Sequence, residues 1–433
     1  MLACFLGTGL WFTVRSGVLQ RHMGLVLRDT LGGYRTRKTG DGISPLRTLS
    51  ASLGACMGTG NIAGVGTALL TGGAGALFWM CASAFLGMMT AFAETVLAVR
   101  CRQKENGGWV GGTMYVLEKG LGLRRSALLY AFLLTASSFG IGNMAQVNAA
   151  ASAVHTAFGV SPVWIGAVFG VLTLCTVFGG IRRISAVTEK AVPVLSAVFL
   201  LSAFAALFVR RSAILPAFRE IFRSAFCFRA AAGGMAGQAI RVGVTRGVFS
   251  NEAGLGSTAV IHACADTDSP ARQGLWGILE VFLDTVVMCS ITGLVILTSG
   301  VSVPSADGAA LYADALSMTF GKGGAVLTAV TLALLGFASL TGWSYCGERG
   351  TAYLFGEKAL PVYRILYAVT AFCGSFLRLD TVFKISDILN SLLALPNLLS
   401  LWLLSDVVLR EVRMYKSDRN CQHFPCQKKE GRK

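Results

Sequence analysis

Apolar stretches of spanning length recur along the whole chain, separated by short glycine-rich or charged punctuation. They fall near 2–19, 46–71, 74–99, 126–154, 161–179, 189–209, 236–263, 273–298, 322–345, 360–377 and 384–408. A helix rises about 1.5 Å per residue and a hydrocarbon core is about 30 Å thick, so runs of this length read as spanning helices. The expected fold is all-α and integral to a membrane, with about eleven transmembrane helices. The first run, Met1 to Val14, reaches only about 21 Å. No basic segment precedes it, so it reads as a helix with a shortened start and not as a cleaved signal.

Charge placement gives these helices a direction. Arg21–Arg47, Arg100–Lys104, Lys119–Arg125, Arg182–Lys190 and the tail after Arg410 are basic. All fall on one side if the first helix enters from outside, and positive charge marks the cytoplasmic side. The uncharged loops Gly72–Gly75 and Gly159–Pro162 fall on the other. Residues 409–433 are thus expected to form a basic cytoplasmic tail. Arg210, Arg211, Arg219, Arg223 and Arg229 would lie outside, against this rule. Leu215, Phe218, Phe222 and Phe226 recur among them at helical spacing, which suggests an amphipathic helix on the membrane surface. A wrong span count is the competing explanation.

Composition supports lipid as the main solvent. The 433 residues are 54% hydrophobic and only 14% charged, and mean hydropathy is +0.62. A water-facing surface needs more charge than that. The net charge of +16 would suggest nucleic acid in a soluble protein, but here it sits in short interhelical segments, so no nucleic-acid partner is expected. Cysteines such as Cys81, Cys175 and Cys289 lie in apolar runs and read as small hydrophobes. Cys421, His423 and Cys426 resemble part of a metal site but lack the spacing zinc requires; a disordered tail is the plainer reading.

Two spanning runs contain text that a lipid-facing helix would avoid. One is Gly58-Thr59-Gly60-Asn61, with Ile62-Ala63-Gly64 behind it. The other, Phe249 through Ser257, carries Asn251, Glu252, Gly254 and Gly256. Opening a helix there frees backbone groups, which is tolerable only if they face a cavity, protein or a polar ligand. Two such breaks, early and late in the chain, are the mark of a transport site at mid-membrane. Half-helix N-termini would meet a carboxylate there, and unwound carbonyls would meet a cation. A channel and a membrane enzyme are the alternatives from other classes.

At these residues the chain resembles the alanine or glycine:cation symporter family, the sodium:alanine symporters. The resemblance runs from Gly40-Asp41 through the last spanning run. Beyond the two breaks it is carried by Phe139-Gly140-Ile141-Gly142-Asn143-Met144, Gly179-Gly180-Ile181, Thr188-Glu189-Lys190, Arg272 through Gly277 and Gly342-Trp343-Ser344-Tyr345. It implies a LeuT-type fold: an extra helix at 2–19, one five-helix repeat over about 46–209 and an inverted second over about 236–408, within a transporter domain of 1–408. It implies sodium-coupled symport of a small amino acid, without another cofactor. Thr59, Gly60 and Asn61 would meet the substrate's carboxylate and backbone, Gln146 would hydrogen-bond it, and Trp343 would close the pocket. Ser339, where relatives often carry threonine, would contribute polar contact. Sodium would be held near Ala55, Gly58 and Ser339. Two internal departures are a stretch about one turn shorter at Gly233–Gln238 and threonine, Thr113, where proline is common.

The remaining polar residues leave choices open. Glu94 would steady the unwound helices or serve proton coupling, unless it sits at the lipid edge near Arg100. Glu252 would partner freed backbone amides, with Asn251 and Gly254 beside it, or pair with Arg246 or Arg241. Glu280 and Asp284 share a helix face and would line an aqueous route or meet a neighbouring cation. His262 would titrate or cap its helix; Trp164, Trp276 and Trp402 suit the interfacial belt. No Gly-x-x-x-x-Gly-Lys-Ser/Thr run is present, and four histidines are dispersed, which argues against ATP-driven work and against an enzyme.

Overall fold

The computed structural model describes residues 1–33, 42–105, 107–226, 233–301, 307–377 and 379–423. Asp41, Arg229, Cys426 and residues 424–433 lie outside them. Each of the eleven apolar runs becomes a helix or a broken helix. They are α1 (Leu2–Arg15), the pair α3 (Pro45–Cys56) and α4 (Ala63–Gly72), α5 (Gly75–Arg100), α6 (Arg124–Phe158), α7 (Pro162–Val177) and α8 (Gly180–Val209). The later ones are the pair α10 (Gly233–Asn251) and α11 (Ser257–His262), α12 (Pro270–Ser299), α14 (Lys322–Phe355), α15 (Leu360–Gly374) and α16 (Leu379–Leu403). Among the described residues, six helices are long and apolar enough to cross a membrane, or seven with the bent first pair.

Helix starts follow local chemistry. Ser44 caps α3 and Ser269 caps α12, each followed by proline at the first helical position, where its missing N–H and fixed φ are no handicap. The reading 322–345 ended α14 too early. The helix runs on to Phe355, and Glu348 in this extension is buried against Arg364 of α15 at 2.6 Å.

Among the described residues, the longer helices α2 (Met23–Gly33), α9 (Ile214–Ala225) and α13 (Gly308–Phe320) lie outside the apolar runs, and α17 (Ser405–His423) extends beyond the last of them. The basic, phenylalanine-rich stretch is α9, too short at 12 residues to span. It buries Ala217, Ile221 and Ala225 and leaves Leu215, Phe218, Phe222 and Phe226 exposed, as a helix lying in the membrane interface would. After residue 408 the chain does not simply trail away. Val408, Leu409 and Val412 of α17 are buried, so the tail begins as a packed helix, not a disordered one. Trp276 is also no interfacial residue: it is 4% exposed, packed inside the core. Trp164 at 71% and Trp402 at 44% do reach the surface.

The five basic segments share one face. Arg47 pairs with Glu189 at 2.7 Å, and Ile43 bridges to Ala265. Arg102 donates to the carbonyls of Ala263, Ala265 and Thr267, and Arg102, Lys119 and Arg410 surround one cavity. The basic α9 packs instead against the start of α5, where a Cβ on Gly75 would strike the backbone of Ser224 and Ala225. That is the opposite end of α5 from Arg100.

Candidate functional site

The α3–α4 break bends the chain by 61°. Helix α3 stops at Cys56, Gly58 is extended (φ −122°, ψ −151°), and a single tight turn over Thr59–Asn61 leads into α4. The freed backbone groups are claimed by side chains. Asn61 Oδ1 accepts from the Gly58 N–H at 3.1 Å, and Gln146 Oε1 accepts from the Thr59 N–H at 2.8 Å. Gln146 is held in turn by donating to the Ile141 carbonyl at 3.0 Å, within a wide turn at Gly140–Met144 that interrupts α6. A Cβ on Gly58 would stand 2.5 Å from Gln146 Oε1 and 2.9 Å from Ser339 Cβ, so only glycine allows this approach. Ser339 donates to the freed Ala55 carbonyl at 2.6 Å. The Thr59 hydroxyl is fully buried and has no hydrogen-bond partner.

The α10–α11 break is sharper in backbone terms. Glu252 is left-handed at φ 57°, costly for a residue with a Cβ, and Gly254 and Gly256 follow at φ 97° and 74°. Glu252 accepts from the Trp343 indole N–H at 2.6 Å and from the Ser257 hydroxyl at 2.5 Å. Glu94 accepts from the Gly254 N–H at 2.9 Å and from Asn397, which also donates to the Gly254 carbonyl. Thr113 donates to Asn397 at 2.7 Å. Asn251 accepts from the Ala253 N–H and donates to Thr285.

The two breaks meet through α12. Its wide turn, Phe282–Cys289, carries Asp284. Asn61 of the first break donates to Asp284 Oδ1 at 2.7 Å, and Ser250 of the second donates to Oδ2 at 2.7 Å. Phe249 and Ser250 also stand against Gly60. One turn earlier on α12, Glu280 accepts from the Cys56 thiol at 2.8 Å and contacts His262 Nε2 at 2.7 Å. Trp343 is fully buried and packs on Gly142, where any Cβ would overlap its ring.

Several expectations change here. Glu94, 3% exposed, takes the freed Gly254 amide and so steadies the unwound helix as expected of it, but that is also the task expected of Glu252. Glu252 instead anchors Trp343, and Arg246 turns to Asp387 at 3.4 Å. Glu280 and Asp284 are met by a thiol, an imidazole, an amide and hydroxyls, not by lysine or arginine. His262, the last residue of α11, is 0% exposed and its ring is met by Ser52, Glu280 and Gln273. Thr59, Gly60, Asn61, Gln146, Ser339, Ala55 and Gly58 are gathered around the first break. Asn251, Glu252 and Gly254, with Trp343, surround the second. Asp284, Asn397 and Tyr130, which donates to the Leu255 carbonyl, carry no motif; only Asp284 stood out, as an acid in an apolar run.

This architecture is a LeuT-type fold. The structure of MhsT in complex with L-phenylalanine superposes with a TM-score of 0.63, covering 87% of this chain and 99% of that one at 15% identity. The profile of the sodium:alanine symporter family matches residues 1–429, and the chain belongs to that family. It is 42% identical to the sodium/alanine symporter AgcS of Methanococcus maripaludis, over 97% of this chain and 94% of that protein. It is 34% identical to the probable sodium/glutamine symporter GlnT of Bacillus subtilis, over 98% and 89%. The protein is therefore a multi-pass membrane transporter.

Proposed function

We propose that this protein couples sodium entry to symport of a small neutral amino acid, alanine or glycine, by alternating access. The observation that carries this is the buried, unpartnered Thr59 hydroxyl at a helix break whose Gly58 and Thr59 amides are engaged by Asn61 and Gln146. Leaving such a group unsatisfied costs about 1–3 kcal/mol, which a substrate carboxylate would recover. Thr59, Gly60 and Asn61 would bind the substrate's carboxylate and backbone, with Gln146 exchanging its Thr59 contact for the ligand. Trp343 would close over a small side chain. The Ala55 carbonyl and Ser339 hydroxyl already stand 2.6 Å apart, and with the Gly58 carbonyl they offer the neutral oxygen donors that a hard cation takes. The extra helix is α1, with repeats over about 46–209 and 236–408. The shared basic face argues for a cytoplasmic C-terminus in a cell membrane.

The test is uptake of labelled alanine into proteoliposomes under an inward sodium gradient. Acceleration by sodium, its loss with choline, and competition by glycine but not by large amino acids are expected. Uptake indifferent to sodium would overturn the proposal. A second reading, proton-coupled symport, draws on the buried His262–Glu280 contact at 2.7 Å. A pH gradient without sodium would then drive uptake. Strong preference for glutamine or serine would instead revise the substrate alone.

A further inference from the structure

Three basic segments converge on a cavity of about 730 Å³ that includes no residue of either helix break. Arg100 at the end of α5, Lys119 in the turn before α6, and Arg410 and Arg413 on α17 line it, and all four are exposed. Glu411 is the single acid on its wall and is 7% exposed. Arg102 also lines the cavity, but its guanidinium is committed to three backbone carbonyls and lies over the Trp109 ring at 4.2 Å. It builds the wall. Lys119 donates to Gln103, and among the described residues Arg410 has only a long 3.4 Å contact to the Asp406 carbonyl.

The rest of the wall is apolar: Leu97, Leu404, Val407 and Met414. The spanning helix α5 ends at Arg100 and α16 ends at Leu403, so the cavity lies where hydrocarbon gives way to water. Its volume is in the usual range for ligand sites.

We propose that this cavity binds an anionic phospholipid. Its phosphate lies among Arg100, Lys119, Arg410 and Arg413, and its upper acyl chains run along Leu97, Leu404 and Met414. Cationic clusters at a span's end attract acidic headgroups, and guanidinium groups match phosphate oxygens in pairs. A free phosphate would use the cations and leave the apolar wall bare. A choline lipid would bring its own cation against them. A bound lipid would tie α17 to the end of α5. This inference does not depend on which amino acid is carried.

The test is native mass spectrometry of the full-length protein taken from vesicles containing phosphatidylcholine and phosphatidylglycerol. Selective retention of phosphatidylglycerol is expected. The R410Q/R413Q variant should weaken that retention about twenty-five-fold, at about fivefold per cation, while still taking up alanine from phosphatidylcholine vesicles. Should that variant fail to fold, E411Q serves: removing the opposing charge should strengthen retention. Equal retention of both lipids, or unchanged retention in both variants, would overturn the proposal. Displacement of the lipid by inorganic phosphate alone would overturn the lipid reading in favour of a free anion.

Discussion

Asn61 and Asp284 lie 223 residues apart, yet the Asn61 amide donates to the Asp284 carboxylate at 2.7 Å and to its backbone carbonyl at 3.1 Å. The same carboxylate takes the Ser250 hydroxyl from the second break. A displacement of either broken helix is therefore felt by the other through one side chain. Because each contact is buried, losing one leaves a polar group without water to replace its partner.

Asn61→Ala removes the amide that serves both Gly58 and Asp284. Under the proposed mechanism, linkage makes sodium and alanine tighten each other's binding by the same factor. The variant is expected to weaken both ligands by about 5- to 150-fold, for a loss of about 1–3 kcal/mol. Isothermal titration of each ligand in the presence and absence of the other checks it. Unchanged affinity for both would remove Asn61 from the site.

Trp343→Phe keeps most of the ring but deletes the indole N–H that Glu252 accepts. Trp343→Ala also empties the space against Gly142. The first is expected to lower transport with selectivity kept, the second to admit larger side chains. Competition of labelled alanine uptake by a series of neutral amino acids separates them. Identical selectivity in the alanine variant would show that Trp343 is no lid.

Glu94→Gln keeps one oxygen for the Gly254 N–H and the Asn397 amide, but puts a third donor, its own amide, where the unpartnered Oε2 stood. One of these three groups then lacks an acceptor in a site that excludes water. A loss of about 1–3 kcal/mol in stability is expected, seen as a lower melting temperature in detergent. Glu94→Ala should be worse, and wild-type stability in both would refute Glu94 as the support of the second break.

Arg364→Met strands Glu348, which is 1% exposed, without its cation. Breaking a buried pair on one side typically costs about 3–5 kcal/mol. Thermal unfolding should show a clear drop, and the double variant with Glu348→Gln should recover much of it. No recovery would mean that packing, not charge, holds α14 to α15.

Much of the fold was legible because lipid imposes a simple rule. Every backbone group must be paired inside its own segment, so length and apolarity mark each helix, and glycine and polar clusters mark where a helix opens. That logic found both breaks and the surface character of α9. It missed α13, whose run of 13 residues is too short to announce itself, and the extension of α14, whose buried Glu348 finds its cation only on α15.

Among the carboxylates, the sequence singled out Glu94, Glu252, Glu280 and Asp284 as acids in apolar runs that needed partners, and left those partners open. Which acid serves which break depends on helices brought together from distant parts of the chain. Glu94 takes the Gly254 amide because α5 packs along α10. Glu252 meets Trp343 because its left-handed backbone turns it there. Spanning order, the two breaks and the basic face were thus written locally, in hydrophobic runs and charges. The wiring between the breaks was decided only by tertiary packing, since a hydrogen bond needs its partner within about 3 Å and no local pattern records that distance.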